Sequence, residues 1–326
     1  MATVPSTDPL RRATTTPRRR PTRTRSFGSG KRESHDASGF YRRFQPPALS
    51  EDAEVRRPSA VDVLFCGDAA AMTDTQVADR SVALVVTSPP YFAGKEYEED
   101  LASGSVPRSY VEYLDKLYEV LAACVDKLEP GGRMAINVAN LGRKPYRSLS
   151  ADVISILQDD LGLLMRGEII WRKAKGAGGS CAWGSFRSPA NPVLRDVTER
   201  VIVASKGRFD RALSRRRRQE LGLPHEPTIG TEEFLDATLD VWEIPPESAT
   251  RVGHPAPFPI ELPRRLIELY TYRGDLVLDP FMGSGTTAVA AIDTERHYVG
   301  FDTDPDYVAL AEERIARHRA EAGKGG

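Results

Sequence analysis

Cysteine is scarce in this chain. Cys66, Cys124 and Cys181 are three among 326 residues and stand far apart. An odd, widely spaced set offers neither a disulfide framework nor a paired metal-ligand pattern, so reduced thiols in a cytoplasmic protein without a bound metal are expected. No run reaches the roughly 18 apolar residues of a membrane-spanning helix. Net charge is nearly absent too, at -1 from 45 Lys and Arg against 46 Asp and Glu. Bulk charge therefore announces no polyanionic partner, and its distribution has to speak instead. Residues 1–32 hold eight Arg and one Lys against the single acid Asp8, with no apolar core behind them, which excludes a secretory signal. The first 50 residues, rich in Thr, Pro, Arg, Ser and Gly, lack apolar periodicity and read as a disordered basic tail.

What is present is an alternating α/β pattern. Residues 61–65 form a short strand candidate ending at Cys66-Gly67-Asp68, and 82–86 a second one, apolar throughout, as a parallel strand covered on both faces requires. Ser109 reads as a helix cap with Glu112 as its partner, and Leu114, Leu117, Tyr118, Leu121, Val125 and Leu128 follow at helical spacing. Pro130-Gly131-Gly132 should end that helix before a strand at 134–138. A helix at 150–161 and strands at 168–171 and 201–204 come next. The rhythm breaks over 207–250 and resumes with helix 262–270, strand 275–278, helix 286–292, strand 298–301 and helix 306–318.

Two loops in this pattern carry chemistry. The later one, Asp279-Pro280-Phe281-Met282-Gly283-Ser284-Gly285-Thr286-Thr287, joins a strand to a helix, and its glycines permit a tight turn with backbone close to a ligand. It lacks the Lys of a phosphate-binding P-loop and the GxGxxG spacing of dinucleotide binders. The next strand ends at Asp302, placed to accept both hydroxyls of a ribose, with Asp304 as the competing acid. Asp279 can bind a ligand amine or complement the positive helix end. An amino acid, a ribose and a cationic sulfur together satisfy these features, which describes S-adenosylmethionine.

The earlier loop, Ser88-Pro89-Pro90-Tyr91, follows the apolar strand at 82–86. Two prolines fix the backbone and remove two donors, leaving acceptors held in one direction. An exocyclic base amine is a poor nucleophile because its lone pair is conjugated into the ring. Ser88 Oγ and the Pro89 carbonyl can take its two hydrogens and turn that lone pair toward a methyl donor. Tyr91 offers a stacking face for a base turned out of its helix.

On these motifs the chain resembles the amino-type DNA methyltransferases, which modify N4 of cytosine or N6 of adenine. Ser88 to Tyr91 resembles the family's catalytic motif, and the loop from Asp279 through Gly283, Ser284, Gly285 and Thr286 its cofactor motif. Gly300-Phe301-Asp302 resembles the ribose-binding acid, and His254-Pro255-Ala256-Pro257-Phe258-Pro259 the segment whose aromatic, here Phe258, lies near the cofactor. Cys66-Gly67-Asp68 resembles the acid-bearing strand end near the cofactor's adenine amine, which makes Asp68 the candidate there. With Phe281 these residues are the expected cofactor set. The resemblance covers about residues 60–206 and 250–318, with the catalytic motif before the cofactor motif, the β arrangement of the family. It implies a Rossmann-like class I S-adenosylmethionine-dependent methyltransferase fold, α/β with permuted motif order and a small insert. Ser88 stands where adenine enzymes commonly carry Asp, so the resemblance favours N4 of cytosine, with N6 of adenine as the alternative.

The expected organisation is a tail at 1–50, the catalytic half at 51–206, a DNA target-recognition insert at 207–250, the cofactor half at 251–320 and a tail at 321–326. Arg172, Lys173, Lys175 and Arg187, near Trp171, Trp183 and Phe186, are expected at the edge of a DNA cleft, and Arg215, Arg216, Arg217 and Arg218 on phosphates. The run 95–100 reads as the edge of a lid. Double-stranded DNA is the expected partner. A restriction endonuclease would be a separate chain, and a homodimer would let two small readers share recognition. RNA or a protein amide as substrate, and a DNA-binding protein of this fold without catalysis, are the competing readings.

Overall fold

In a computed structural model of the protein, the described residues are 49–90, 110–140, 146–173, 184–194, 196–246 and 258–322. The chain divides into Met1–Pro46, all of it outside the described residues, and Pro47–Gly326, which holds every element below. Tyr91, the run 95–100, Ser109, Lys175, Cys181, Trp183 and 254–257 also lie outside the described residues.

Eight strands form one sheet: β1 (Val63–Cys66), β2 (Val82–Thr87), β3 (Leu128–Val138), β4 (Leu164–Lys173), β5 (Thr198–Ser205), β6 (Val241–Ile244), β7 (Leu276–Asp279) and β8 (His297–Asp302). Their order across the sheet is β1-β8-β7-β2-β3-β5-β4-β6. The ladders from β1 to β3 are parallel, β5 runs antiparallel to β3 and β4, and β6 pairs parallel with β4. The helices are α1 (Tyr110–Lys127), α2 (Leu149–Ser155, continued by a π-turn over Ile156–Asp160), α3 (Arg215–Glu220), α4 (Thr231–Ala237), α5 (Glu261–Tyr270), α6 (Thr286–Asp293) and α7 (Pro305–Ala322). No helix among the described residues is long and apolar enough to cross a membrane.

The alternation of side chains along each strand splits the core into two layers. Val85, Ile136 and Leu278 meet Leu117 and Leu121 of α1 and Val153 of α2 on one face. Leu84, Val86, Ala135 and Val277 meet Leu262 and Leu266 of α5 and the Ala288–Ala291 stretch of α6 on the other. All six residues of β2 are buried, as its unbroken apolar run requires. Each fully buried Leu, Val or Ile on these faces contributes about 1.5–3 kcal/mol relative to exposure.

Four expectations need correction. The strand after α1 begins at Leu128 rather than 134, because Pro130-Gly131-Gly132 does not stop the chain there but bulges. Val82 pairs with Leu128 and Leu84 with Arg133, so residues 129–132 loop out of register. Gly131 has φ +78°, and a Cβ there would lie 1.9 Å from the Asp210 carbonyl oxygen.

The stretch 207–246, the described part of the expected insert 207–250, is tied into the sheet. Its β6 is the edge strand beside β4, and Trp242 in it is buried against α5. Arg218, expected on phosphate, is 1% exposed. Its guanidinium reaches Glu129 Oε1 at 3.1 Å and Asp275 Oδ1 at 2.9 Å, and its Nε donates to the Pro224 carbonyl at 2.5 Å. Arg211 joins the same two carboxylates, and both guanidinium groups lie over the Tyr272 ring. The helical turn of α3 puts Arg215, Arg216 and Arg217 outward and Arg218 inward. A charge buried this way is already neutralised and cannot meet DNA.

Trp171, named for the cleft edge, is also a core residue, with Nε1 donating to the Ile244 carbonyl at 2.8 Å.

Candidate active site

The site lies where the sheet changes direction. The chain leaves β2 for β3 through α1 on one face, and leaves β7 for β8 through α6 on the other, moving the opposite way across the sheet. The neighbours β2 and β7 therefore part company at their carboxyl ends and open a crevice there, the switch point at which open α/β sheets bind ligands. The ends of β1, β8, β7 and β2, in that spatial order, lead to Asp68, Asp302, the loop from Asp279 to Gly285, and Ser88-Pro89-Pro90. Residues more than two hundred positions apart in sequence form one row.

Asp279 ties the two loops together. Its Oδ1 accepts from Thr87 Oγ1 at 2.6 Å, at the end of β2, and from the Phe281 N–H at 3.1 Å. Its Oδ2 accepts from Thr287 Oγ1 at 2.6 Å, in the first turn of α6. Burial pushes this carboxyl up to about 6, against the three hydrogen bonds that favour its charge, with the nearby Asp302 adding to the rise. These three bonds brace the start of α6, one of the two roles open from sequence.

The glycine loop has the expected backbone. Gly283 and Gly285 have φ of +51° and +77°, and a Cβ on Gly285 would sit 3.0 Å from the Ala311 Cβ of α7. Ser284 and Thr286 are both buried. Arg314 of α7 donates to the Ser284 carbonyl and Oγ at 3.1 Å and to Thr286 Oγ1 at 2.9 Å. Their side chains thus face the protein, and what they present to a ligand is backbone. Asp302 accepts the Gly283 N–H at 2.9 Å on Oδ2 and the Asp304 N–H at 3.0 Å on Oδ1, which orients its carboxylate along the loop. Burial holds its carboxyl above the ordinary value, partly offset by these N–H groups. The rival Asp304 caps α7 instead, accepting the Asp306 N–H at 2.8 Å.

Asp68 sits half-exposed past β1, capping a short turn through the Ala70 N–H at 2.9 Å and pairing with Lys116 of α1 at 2.5 Å. Burial alone would raise its carboxyl, but the Lys116 bond and charge and the Ala70 N–H outweigh it and hold the group below the ordinary value. Phe281 packs against the α1 layer of the core and Phe258 against the α5 layer.

On the other side of the crevice, Ser88 Oγ donates to the Asn137 carbonyl at 3.2 Å. Its oxygen also receives the Asn137 Nδ2 at 3.4 Å. In this arrangement Oγ both donates to and accepts from Asn137. Pro89 is buried behind it and Pro90 exposed. Asn137 and Glu199, which accepts Asn137 Nδ2 at 2.6 Å, were not singled out from the sequence. The sequence carries no signal for them, since they lie on different strands and gain meaning only by pairing.

The described residues among those expected to face DNA lie on several elements. Arg172 pairs with Glu243 at 2.9 Å on the outer strands, and Lys173 with Glu199 at 2.6 Å. Arg187 is exposed with φ +53°, beside the exposed Phe186. Arg215, Arg216 and Arg217 are exposed on α3, where Arg216 and Arg217 meet Glu220 at 2.9 and 3.2 Å.

Residues 82–313 match the N6_N4_Mtase family model, described as DNA methylase. The chain is 30% identical over 293 residues to the Type II methyltransferase M.MjaI of Methanocaldococcus jannaschii, covering 80% of this chain and 93% of that one. It is 30% identical over 291 residues to the Type II methyltransferase M.BglI of Bacillus subtilis, covering 73% and 81%. Among solved structures it is similar to a DNA modification methylase of Thermus thermophilus, TTHA0409, complexed with S-adenosyl-L-methionine, at 29% identity and TM-score 0.57, covering 78% and 95%. It shares its fold with the PvuII DNA methyltransferase (cytosine-N4-specific), at 21% identity and TM-score 0.58, covering 81% and 94%.

Proposed function

The chain belongs to the DNA methylase family that modifies N4 of cytosine or N6 of adenine, and on that premise we propose that its product is N4-methylcytosine in double-stranded DNA. It is an S-adenosylmethionine-dependent DNA methyltransferase of the amino type. The crevice suits that cofactor: two left-handed glycines keep side chains away from the loop backbone, and a carboxylate waits at the end of the adjacent strand.

When bound, S-adenosylmethionine supplies a methyl group on a sulfonium, already activated for transfer. The chain supplies the rest. The backbone of Gly283 to Thr286 would approach the amino-acid end. The carboxylate oxygens of Asp302 each accept one backbone N–H and have a second lone pair for a ribose hydroxyl. Asp68 would face the adenine amine, with Phe258 and Phe281 flanking the crevice. Ser88 Oγ and the Pro89 carbonyl would draw on the two hydrogens of the target amine. Its nitrogen would then take the methyl as the cofactor's sulfur–carbon bond breaks, leaving a neutral thioether, and would release one proton to water. Holding acceptors where the amine lone pair must be freed is electrostatic preorganisation.

The observation that carries this reading is the Ser88 hydroxyl, a neutral group whose Oγ donates to the Asn137 carbonyl at 3.2 Å and accepts from the Asn137 amide at 3.4 Å. A neutral Ser at this position, in Ser88-Pro89-Pro90-Tyr91, resembles the N4-cytosine members. For DNA contact, Arg187 and Arg215, Arg216 and Arg217 are the exposed cations, joined by Arg172 and by Lys175, which lies outside the described residues. So few residues suit a short target or two copies of the chain sharing one site. The Type II names of its relatives make a nuclease on a separate chain the partner to seek, in the cytoplasm where the DNA is. Nucleosides from DNA methylated by the enzyme, separated and weighed by mass spectrometry, test the proposal. N4-methylcytosine is the expected product; a dominant N6-methyladenine peak would overturn the cytosine assignment and leave the amine chemistry in place.

A further inference from the structure

Four polar side chains cross the apolar α5-facing side of the sheet in a line. Ser88 follows β2, Asn137 lies on β3, Glu199 on β5 and Lys173 on β4, four adjacent strands. Pairing explains why they share a face. Thr87 is opposite Ile136, so Ser88 comes beside Asn137. Asn137 is opposite Val201, two residues from Glu199, and Glu199 is opposite Trp171, two residues from Lys173. Steps of two keep side chains on the same face of a pleated sheet. Around them that face is lined by Val86, Ala135, Val201, Ile169 and Trp171.

Bonds between the members of a polar row among such neighbours are favoured, because a buried group left unmet costs about 1–3 kcal/mol. Each member is bonded to the next. Asn137 is 2% exposed and Glu199 7%. Asn137 Nδ2 has two hydrogens, and it donates to Glu199 Oε2 at 2.6 Å and to Ser88 Oγ at 3.4 Å. The other Glu199 oxygen, Oε1, meets Lys173 Nζ at 2.6 Å, and that ammonium lies 5.4 Å from the centroid of the Trp171 ring.

A carboxylate only accepts, so Glu199 decides which way the Asn137 amide points. The nitrogen, not the oxygen, must face Ser88. The Ser88 hydroxyl can then only accept from that amide, and its own proton goes to the Asn137 carbonyl. The rotor of the acceptor oxygen is thus set by a carboxylate two strands away, and the carboxylate is neutralised by Lys173. We propose that Glu199, through Asn137 and with Lys173 as its counter-charge, is a positioning residue that holds Ser88 as a hydrogen-bond acceptor for the target amine. This rests on the reading of Ser88 as the amine acceptor. It also gives Lys173 a partner inside the protein in place of a DNA phosphate.

The test is a double-mutant cycle on single-turnover methylation, with cofactor and DNA affinities measured alongside. Ser88→Ala should slow methyl transfer by about 10²-fold, the loss typical of one preorganised polar contact. Glu199→Gln puts an amide that can donate where only an acceptor stood, freeing the Asn137 amide to turn. It should slow transfer by about 10-fold or more through misplacement of Ser88, with both affinities unchanged. In the Ser88→Ala background the same Glu199→Gln change should matter by less than about 2-fold, because its effect runs through a hydroxyl no longer there. Equal losses in both backgrounds would mean that Glu199 only supports the sheet and would overturn the proposal. Full activity of Ser88→Ala would instead remove the reading on which the proposal stands, and the two failures are distinguishable. If Glu199→Gln does not fold, Lys173→Met at the partly exposed end of the row takes its place in the same cycle, with the same expected non-additivity.

Discussion

The two ends of β7 each bury an aspartate, and the two are treated in opposite ways. Asp275, just before the strand, is 3% exposed and sits between Arg211 and Arg218 with Glu129 across from it. Asp279, at the strand's other end, is 2% exposed, and its partners are two threonine hydroxyls and one backbone N–H. At the amino end two carboxylates meet two guanidinium groups, and charge is cancelled where it is buried. At the carboxyl end the charge is only hydrogen-bonded, and burial lifts the group to about 6. The first arrangement locks the 207–225 stretch onto the sheet. The second leaves Asp279 with uncharged partners, beside the crevice in which we propose that the cationic sulfonium sits. A buried carboxylate without a cation nearby is costly, and it occurs here at the end where the crevice opens.

The contrast can be broken most forcefully at the paired end. Arg218→Ala leaves Glu129 and Asp275 with one guanidinium between them and should cost about 3–5 kcal/mol of stability. Urea denaturation reads this directly, and a loss under about 1 kcal/mol would mean that Arg211 alone suffices.

The carboxyl end sharpens the comparison through pH. Because the folded protein holds Asp279 above its ordinary value of 3.8, it keeps a proton that the unfolded chain releases. That proton's contribution is complete below 3.8 and is lost as pH rises through about 6. Asp279→Asn has no charge to acquire, so the stability gap between variant and wild type should shift in the variant's favour across that window, on the order of 3 kcal/mol. Denaturation midpoints for both proteins at several pH values measure it, and parallel curves would contradict the assignment.

The smallest effect separates Arg218 from its neighbours. Neutralising Arg215, Arg216 and Arg217 should leave stability almost unchanged, since Arg215 is exposed and so are the pairs of Arg216 and Arg217 with Glu220. If these three touch phosphates, the slope of log affinity against log salt falls by about 0.9 for each lost contact. An unaltered slope would leave them as surface decoration. Removal of residues 1–50 is the control for attraction supplied by that basic segment.

Much of this fold was legible because its signals are local. The apolar run of β2, the glycines before α6 and the twin prolines after Ser88 each act within a few residues, and the structure has the corresponding elements. The misreadings share a cause. Pro130-Gly131-Gly132 looks like a helix stop, yet it is a bulge shaped by the Asp210 backbone far along the chain. Four consecutive arginines look alike in sequence, and only the phase of α3 against Glu129 and Asp275 singles out Arg218. The four residues of β6 are too few to display a period, so an edge strand read as part of an insert.

Short-range chemistry in the sequence by itself determined which loop can cradle a cofactor and which can accept an amine's hydrogens, because backbone turns and donor removal depend on adjacent residues. Tertiary structure alone decided how those loops cooperate. Thr87 and Asp279 are 192 residues apart, and Asn137 and Glu199 are 62 apart. A hydrogen bond needs contact within about 3 Å, and no periodicity or composition encodes contact across such separations. The strand order that places β2 between β7 and β3 does.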